Sequence, residues 1–288
     1  MKLNKFKIVF FVTLISLSCI FVSFIHKKEI IYDAEDIVNR MFVSIDHVKT
    51  LRYSLKIEER IEGKLEHRES KVKLQVSPRK IYLQIKNQEL LWVQGTNEGN
   101  ALVSPGTFPY INLNLDPLGQ IVRKGQHHTI QELGFGYIYD LIKNYRDVIF
   151  KDEFKKHFFI TGEEIHEGRP CYKLSVLIPD FAWKTYRVLK GENIVTIARK
   201  LYLSEFMILE GNPSISWYYD VKEGQVINIP NSYAKYALLL IDKELMLPVY
   251  SKLIDDKGLF EHYQYLDLKV NVPFAADEFT KGFKGYKF

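Results

Sequence analysis

Residues 185–231 contain four secondary-structure signals in close succession, and they constrain the fold more than any other part of the sequence. The elements that the pattern predicts are, in order, a strand at 185–188, a helix at 194–201, a second helix at 206–209 and a closing strand at 226–229. Lys190-Gly191-Glu192-Asn193 supplies a turn, and Asn193 can cap the first helix. Gly211-Asn212-Pro213 stops the second helix. The sequence therefore predicts a βααβ unit.

The order and spacing of these elements resemble a LysM repeat. The positions that match the skeleton of that family are Tyr186, Val188, Gly191, Ile197, Ala198, Ser204, Leu209, Asn212, Gly224, Gln225, Ile229 and Pro230. Glu192-Asn193-Ile194 stands where the family usually has Asp-Thr-Leu. The resemblance implies a LysM domain at 184–231 that binds N-acetylglucosamine-containing glycans, which are peptidoglycan in bacteria and chitin elsewhere.

The resemblance also implies where the sugar binds, because LysM repeats contact it with two loops. Carried onto this sequence, the glycan-binding residues are Gly191, Glu192, Asn193, Ile194, Asn212, Pro213, Ser214 and Ile215, with Trp217 beside them. Backbone N–H and C=O groups of these loops would bind the acetamido group. The aromatic run Trp217-Tyr218-Tyr219 has two interpretations: it stacks on a sugar ring, or it docks the unit onto the rest of the chain.

The amino-terminal segment indicates export. Ile8–Ile25 is a run of 18 residues without a charge, and lysines precede it. As a helix it would span about 27 Å, close to the thickness of a bilayer core. Three interpretations of residues 1–28 stay open: an uncleaved signal anchor, a lipoprotein signal with acylated Cys19, and a signal peptide cleaved after Ser18. We expect an exported, membrane-attached protein, either facing the periplasm from the inner membrane or held as a lipoprotein.

The charge distribution excludes a nucleic-acid binder. Five of the 40 basic residues lie in the first 28 positions, which contain no acidic residue, so the remaining 35 basic residues balance the 35 acidic ones. The net charge of +5 therefore belongs to the export segment, and the rest of the chain offers no excess of positive charge to nucleic acid. Cys171 lies in an alternating run, which favours a small buried residue on a strand over a nucleophile.

The chain on both sides of residues 184–231 has an α+β pattern. Asp33 can cap a helix with an apolar stripe from Ala34 to Val48, and a second helix is predicted from the capping box Thr129-Ile130-Gln131-Glu132. Alternating strand patterns occur at 51–57, 72–76, 81–85 and 171–178, and further strands are predicted at 157–163, 236–241, 247–254 and 259–270. We predict a large curved antiparallel sheet with covering helices, formed by 29–183 and 232–288. The strands before and after the βααβ unit are expected to be neighbours, which lets the insertion close one loop.

This host region resembles a bacterial family of unknown function, number 1571, within the lipoprotein-carrier superfamily that includes LolA and LolB. The residues that carry the resemblance are Tyr53, Glu58–Gly63, Pro78, Tyr82, His128–Phe135 and Ile241–Val249, and it covers about 32–179 and 234–279. It implies a half-open barrel, or half-barrel, with an apolar concavity that can hold acyl chains. It implies no catalytic activity.

The remaining polar clusters do not predict an enzyme. The zinc-hydrolase patterns HExxH and HxxEH are absent. His127-His128 with Glu132 could hold a metal ion, but Glu132 is needed as a helix cap, so a loop facing a partner is the preferred interpretation. Glu163, Glu164, His166 and Glu167 crowd one hairpin, which is typical of a solvated turn. We therefore predict no catalytic residue, no metal site and no cofactor.

Two functions remain. The first is a membrane-attached bacterial envelope protein that binds peptidoglycan through residues 184–231 and a lipid or lipoprotein through the host region. The alternative is a non-catalytic accessory or regulatory subunit of peptidoglycan-remodelling enzymes.

Overall fold

Eleven antiparallel strands form one open sheet in the computed structural model, which describes residues 32–288. The strands of the chain are β1 (Thr50–Ile61), β2 (Lys64–Gln75), β3 (Lys80–Ile85), β4 (Gln88–Val93), β5 (Ala101–Ser104), β6 (Leu113–Leu115), β7 (Phe158–His166), β8 (Arg169–Leu177), β9 (Trp183–Arg187), β10 (Val226–Pro230), β11 (Tyr236–Asp242), β12 (Pro248–Asp255) and β13 (Gly258–Val270). The large sheet has the order β6-β5-β4-β3-β2-β1-β13-β12-β11-β8-β7, and β9 pairs with β10 separately.

The helices are short and precede or interrupt the strands. They are α1 (Ala34–Asp46), α2 (Gln120–Arg123), α3 (Gly136–Asn144), α4 (Phe154–His157), α5 (Ile194–Leu201) and α6 (Glu205–Glu210). Asp33 caps α1 as predicted, because its carboxylate accepts a hydrogen bond from the backbone N–H of Glu35 at 3.0 Å. The predicted α+β class is confirmed.

Strand register arranges the inner face of the large sheet, the face that packs against α3, in rows. One row runs Arg68–Ile57–Tyr263–Ser251–Leu239–Leu174–Ile160 from β2 to β7. The next row runs Glu59–Glu261–Leu253–Ala237–Val176–Phe158 from β1 to β7. The members of a row are paired across neighbouring strands, so they lie side by side on one face of the sheet. The two rows share this face because they are two residues apart along each strand. Both rows are polar at the β1–β2 end and apolar at the β7 end.

The helix predicted to start at Thr129 is interrupted. The backbone N–H of Thr129 donates to Glu132 Oε2 at 2.9 Å, as the capping box requires, but a single 3₁₀ turn, Ile130–Glu132, follows. Gly134 then has φ +89°, a conformation that side chains disfavour, and a Cβ there would lie 2.7 Å from Leu74 Cδ2. The chain therefore turns at Gly134 to approach β2 closely, and the true helix, α3, begins at Gly136.

Residues 183–230 form the predicted βααβ succession. β9 and β10 pair antiparallel from Trp183 with Pro230 to Arg187 with Val226, and α5 and α6 lie between them in sequence. β8 and β11 pair with each other, as expected for the strands on either side of the insertion. Residues 33–288 nevertheless form one compact unit, so the boundaries at 184 and 231 remain a prediction.

The carboxyl-terminal residues pack on the outer face of the large sheet. Tyr286 stacks on Tyr82 with ring centroids 3.9 Å apart, and the Lys287 backbone N–H donates to Glu89 Oε2 at 2.8 Å. Glu278 is buried and pairs with Arg52 at 2.7 Å and with Lys73 at 2.9 Å. The outer face of β1–β4 is therefore covered by a strap of residues 274–288.

The predicted membrane segment Ile8–Ile25 lies outside the described residues. Within 32–288, none of the helices combines the length and the apolar character needed to cross a bilayer.

Candidate functional site

A cavity of about 120 Å³ lies between the inner face of the sheet and the segment that leads into α3. A second cavity, of about 60 Å³, lies beside it toward β7. Both are lined by Ile138, Leu141, Tyr233 and Leu253. The second cavity is otherwise almost wholly apolar, with Phe158, Val176 and Leu239 among its walls. The two cavities together form one region whose apolar end lies toward β7.

Charged side chains form the other end of this region, and Glu261 of β13 is their centre. Its carboxylate lies 3.0 Å from His127 Nδ1 and 3.3 Å from His128 Nε2, and it accepts a hydrogen bond from the Tyr233 hydroxyl at 3.2 Å. His128 Nδ1 lies 3.2 Å from Glu132 Oε2. Glu261 is only 3 % exposed, so each of its carboxylate oxygens depends on these donors rather than on water.

The pKa values of the cluster indicate that it holds full charges. Burial alone would lower the pKa of His128, but the carboxylates of Glu261 and Glu132 raise it well above its ordinary value. Burial alone would raise the pKa of Glu261, but the charge of His128 and hydrogen bonds from both histidines lower it to about 2. At neutral pH a histidinium therefore lies between two carboxylates in the interior.

A second charged group and one unpaired hydroxyl complete the polar end. Glu59 pairs with Arg68 and accepts a hydrogen bond from the Tyr263 hydroxyl. Ser70 lines the larger cavity and is 3 % exposed, and its Oγ has no hydrogen-bond partner among the described residues. A buried hydroxyl without a partner is unfavourable, so Ser70 offers a hydrogen bond to a molecule in the cavity.

The charged end also contacts the βααβ segment. The His127 ring stacks on Phe206 of α6 and on Phe260 of β13, each with centroids 4.2 Å apart. Arg60 of β1 makes a two-pronged pair with Glu210 of α6, at 3.0 and 2.9 Å. Phe206 and Glu210 thus connect the segment to residues that neighbour Glu261.

A buried ion pair docks the same segment onto α2. Arg123 lies 2.6 Å from Glu205, and both side chains are buried. The Arg123 guanidinium also lies 3.8 Å from the ring centroid of Tyr218. For Tyr218, these contacts agree with the interpretation that the aromatic run docks the unit onto the rest of the chain. Tyr219, the next residue of the run, is exposed.

The first predicted glycan-binding loop contacts the segment that follows the second one. The backbone N–H of Ile194 donates to the Tyr218 carbonyl at 2.9 Å, which joins the start of α5 to the segment after α6. Gly191, Pro213 and Ser214 are exposed, and Trp217 is half-buried. Glu192 is held by Leu189 N–H, the Tyr186 hydroxyl and Lys200.

Other predicted contact residues have internal structural roles, and their part in glycan binding stays a prediction. Asn193 caps α5 by accepting from Thr196 N–H at 2.9 Å. Asn212 donates to the carbonyls of Ile208 and Asn228, both at 2.7 Å, and accepts from Asn228 N–H. Ile194 and Ile215 are buried in the core of the segment, so their side chains cannot pack on a sugar methyl group.

The other polar clusters singled out in the sequence lie apart from this site or differ from their predicted setting. The sequence predicts a partner-facing loop at His128, whereas its side chain lines the cavity. Cys171 is buried on β8, and burial raises the pKa of its thiol to about 11. Within residues 32–288 no three His, Cys, Asp or Glu side chains are arranged to hold a metal ion.

Sequence reasoning missed Glu59, Arg68, Ser70, Tyr233 and Glu261. The signal that could have found two of them is the alternation of side chains along a strand. Glu59 continues the inward series Leu55 and Ile57, and Glu261 lies on the same face as Tyr263 and Tyr265, each two residues apart. A charged residue at an inward position of an alternating strand indicates a buried polar site.

Comparison with known proteins supports part of the sequence interpretation. The family model for "Protein of unknown function (DUF1571)" matches residues 48–187, just under half of the chain. The resemblance to family number 1571 is thus confirmed over those residues. No curated protein sequence matches the chain. The comparisons give no support for a LysM repeat at 184–231.

Among solved structures, the chain is similar to the Pseudomonas aeruginosa MucA/MucB complex, with 15 % identity and a TM-score of 0.41, over 87 % of this chain and 62 % of that one. The chain thus spans about three fifths of the MucB chains that it matches. It is also similar to the Mycobacterium tuberculosis lipoprotein LppX, with 11 % identity, a TM-score of 0.41 and coverages of 85 % and 98 %. A LolA superfamily protein from Nitrosomonas europaea has 10 % identity, a TM-score of 0.32 and coverages of 87 % and 98 %.

Proposed function

We propose that this protein is a non-catalytic, membrane-attached envelope protein whose paired cavities bind an acyl chain of a lipid or lipoprotein. The observation that carries the proposal is the arrangement of the inner face: the row from Glu59 to Phe158 is charged at one end and apolar at the other. An acyl chain with a polar head is matched by this polarity, since apolar walls favour the chain and the polar end favours the head.

The hydrogen bonding of the polar end supports a binding role. The carboxylates of Glu59, Glu132 and Glu261 already have partners in the protein, whereas the Ser70 hydroxyl does not. The site therefore presents the Ser70 hydroxyl as a hydrogen-bonding group beside apolar walls. The resemblance to the lipoprotein-carrier superfamily agrees with it.

Binding of a long-chain fatty-acid fluorophore to the purified full-length chain tests the proposal. Ser251 lines the larger cavity, and Ser251→Phe would fill it. The matched control is Leu238→Phe, because Leu238 pairs with Lys252 and points to the opposite face of the sheet. We expect Ser251→Phe to abolish fluorophore binding and Leu238→Phe to preserve it. Absence of binding by the folded parent chain would overturn the proposal.

Glycan binding by residues 184–231 remains a second, separate prediction. What supports it is the βααβ order and the hydrogen bond from Ile194 N–H to the Tyr218 carbonyl, which joins the first loop to the segment after the second loop. Ser214 is exposed in the second predicted loop, so Ser214→Arg changes the surface without touching the core. If the full-length chain pellets with purified peptidoglycan and Ser214→Arg does not, this prediction holds. A folded parent chain that stays in the supernatant would contradict it. The accessory-subunit alternative would then lose its glycan contact as well.

A further inference from the structure

The loop between β5 and β6 exposes an unusual concentration of apolar side chains. Phe108 is 86 % exposed, Tyr110 71 % and Ile111 60 %, and Leu113 at the start of β6 is 45 % exposed. The other large apolar side chains exposed in the described part of the chain include isolated ones, such as Ile165 on β7. Single exposed apolar residues are normal on a protein surface, but four within six positions require an explanation.

The local geometry directs these side chains outward. β6 is an edge strand of the large sheet, so the loop projects from the sheet margin. At the base of the loop, Gly106 lies close to the turn between β3 and β4. A Cβ at position 106 would lie 2.2 Å from the Asn87 carbonyl oxygen. Tyr110 N–H donates to Thr107 O at 2.8 Å, and the rings of Phe108 and Tyr110 contact edge to face, with centroids 6.4 Å apart. The loop is therefore an ordered projection.

We propose that residues 107–113 insert into the surface of a lipid bilayer. The chain is uncharged from Gly99 to Leu115, a run of 17 residues, so no charge has to leave water when the loop enters the acyl boundary. Aromatic rings with one polar atom, such as that of Tyr110, favour the membrane–water interface. The inference goes beyond the acyl ligand of the cavity and does not require it.

The position of the predicted membrane segment favours a bilayer over a protein as the occupant. That segment ends at Ile25, and the folded unit starts at Asp33, with seven residues between them. Even fully extended, seven residues reach only about 25 Å. If that segment spans the bilayer, so short a tether holds the start of the folded unit within about 25 Å of the membrane surface. An apolar projection on this unit therefore meets lipid at a very high effective concentration.

The loop also lies next to the cavity that the proposed function uses. Asn87, which Gly106 contacts, is two residues from Ile85, a residue that lines the larger cavity. Insertion of residues 107–113 would thus hold the cavity rim at the membrane surface. This consequence depends on the proposed function, whereas the insertion itself does not.

Depth-dependent quenching of a new tryptophan tests the insertion. The full-length chain would be reconstituted into phosphatidylcholine–phosphatidylglycerol vesicles with and without brominated acyl chains, as the parent, as Phe108→Trp and as Ile165→Trp. Ile165 is 67 % exposed, which makes it a matched position on another strand, and Trp92, Trp183 and Trp217 give a common background. We expect the added fluorescence of Phe108→Trp to be lost in brominated vesicles and that of Ile165→Trp to be retained.

A second substitution separates insertion from mere proximity. Adding Ile111→Asp to Phe108→Trp places a charge on the loop, so we expect the fluorescence to recover, while circular dichroism stays unchanged because both positions are exposed. Unquenched Phe108→Trp, or equal quenching at positions 108 and 165, would overturn the proposal. Binding of a protein partner to the loop, with no quenching of Phe108→Trp in brominated vesicles, would also overturn the proposal.

Discussion

Glu261 Oε2 lies 3.3 Å from His128 Nε2 at the charged end of the cavity, and this contact joins β13 to the segment before α3. The same carboxylate accepts from Tyr233, which follows the βααβ segment, and contacts His127, which stacks on Phe206 within it. Three parts of the chain that are distant in sequence therefore meet at one buried carboxylate. We expect their relative positions to depend on that carboxylate keeping its charge.

The raised pKa of His128 predicts that stability falls as the pH rises. A histidine whose folded pKa exceeds its unfolded value of about 6.5 contributes its full stabilisation below that pH, and the contribution is lost as the pH rises through the folded pKa. The free energy of unfolding, measured by urea titration from pH 5 to pH 9, should therefore decrease above about pH 6.5. The slope should approach about 1.4 kcal/mol per pH unit.

Substitution identifies the responsible histidine. His128→Gln should lower the free energy of unfolding at pH 6 by about 3 kcal/mol, because it leaves Glu261 and Glu132 with less compensation, and it should flatten the pH dependence. His67→Gln is the control, because the His67 side chain is 71 % exposed. An unchanged pH slope in His128→Gln would contradict the assignment.

The docking of the βααβ segment should depend on Arg123 far more than on Arg199. Both arginines contact Glu205, Arg123 at 2.6 Å in the interior and Arg199 at 3.5 Å with its side chain 60 % exposed. Arg123→Ala leaves a buried carboxylate without its main partner, which costs about 3–5 kcal/mol. Arg199→Ala should cost less than about 1 kcal/mol, as exposed pairs do. Equal losses in urea denaturation would show that the pair is not buried in solution.

Ile215 and Ser214 are neighbours in sequence with opposite expected effects. Ile215 is 6 % exposed and packs in the core of the segment, so Ile215→Glu buries a charge and should lower the thermal midpoint by several degrees or unfold the segment. Ser214→Arg should leave the midpoint unchanged because Ser214 is exposed. Differential scanning calorimetry distinguishes them. A stable Ile215→Glu would mean that Ile215 lies on an open groove, as the LysM resemblance implied.

Local patterns were sufficient to predict most elements of the fold. Alternation located β1, and helical spacing located α1 and α5, because each of these elements has one side that is more buried than the other. The predicted continuous helix from Thr129 was wrong because the chain turns at Gly134. A glycine is required there by the close approach to Leu74, and this tertiary contact is not visible in the local sequence pattern. The strap formed by 274–288 was missed for the same reason: its aromatic residues have no period and pack on Tyr82.

The site was harder to predict than the fold because its members are distant in sequence. His128 and Glu132 were visible as neighbours four positions apart, and their contact is present. Their partner Glu261 lies 133 positions from His128, and only the register of β1 with β13 brings it there. The residue pattern of 185–229 correctly predicted the order of elements, but it could not show that Asn212 and Ile215 take part in internal packing.

Removing the Ser70 hydroxyl should stabilise the ligand-free protein. Ser70 Oγ is buried on the cavity wall without a partner among the described residues, and such a hydroxyl costs about 1–3 kcal/mol. Ser70→Ala keeps the backbone and most of the volume, so the free energy of unfolding of delipidated protein should rise by up to about 1 kcal/mol. Ser104→Ala is the control, because the equally buried Ser104 donates to the Lys287 carbonyl at 3.3 Å and its loss should destabilise. If Ser70→Ala destabilises as well, the hydroxyl already has a bound partner in the cavity.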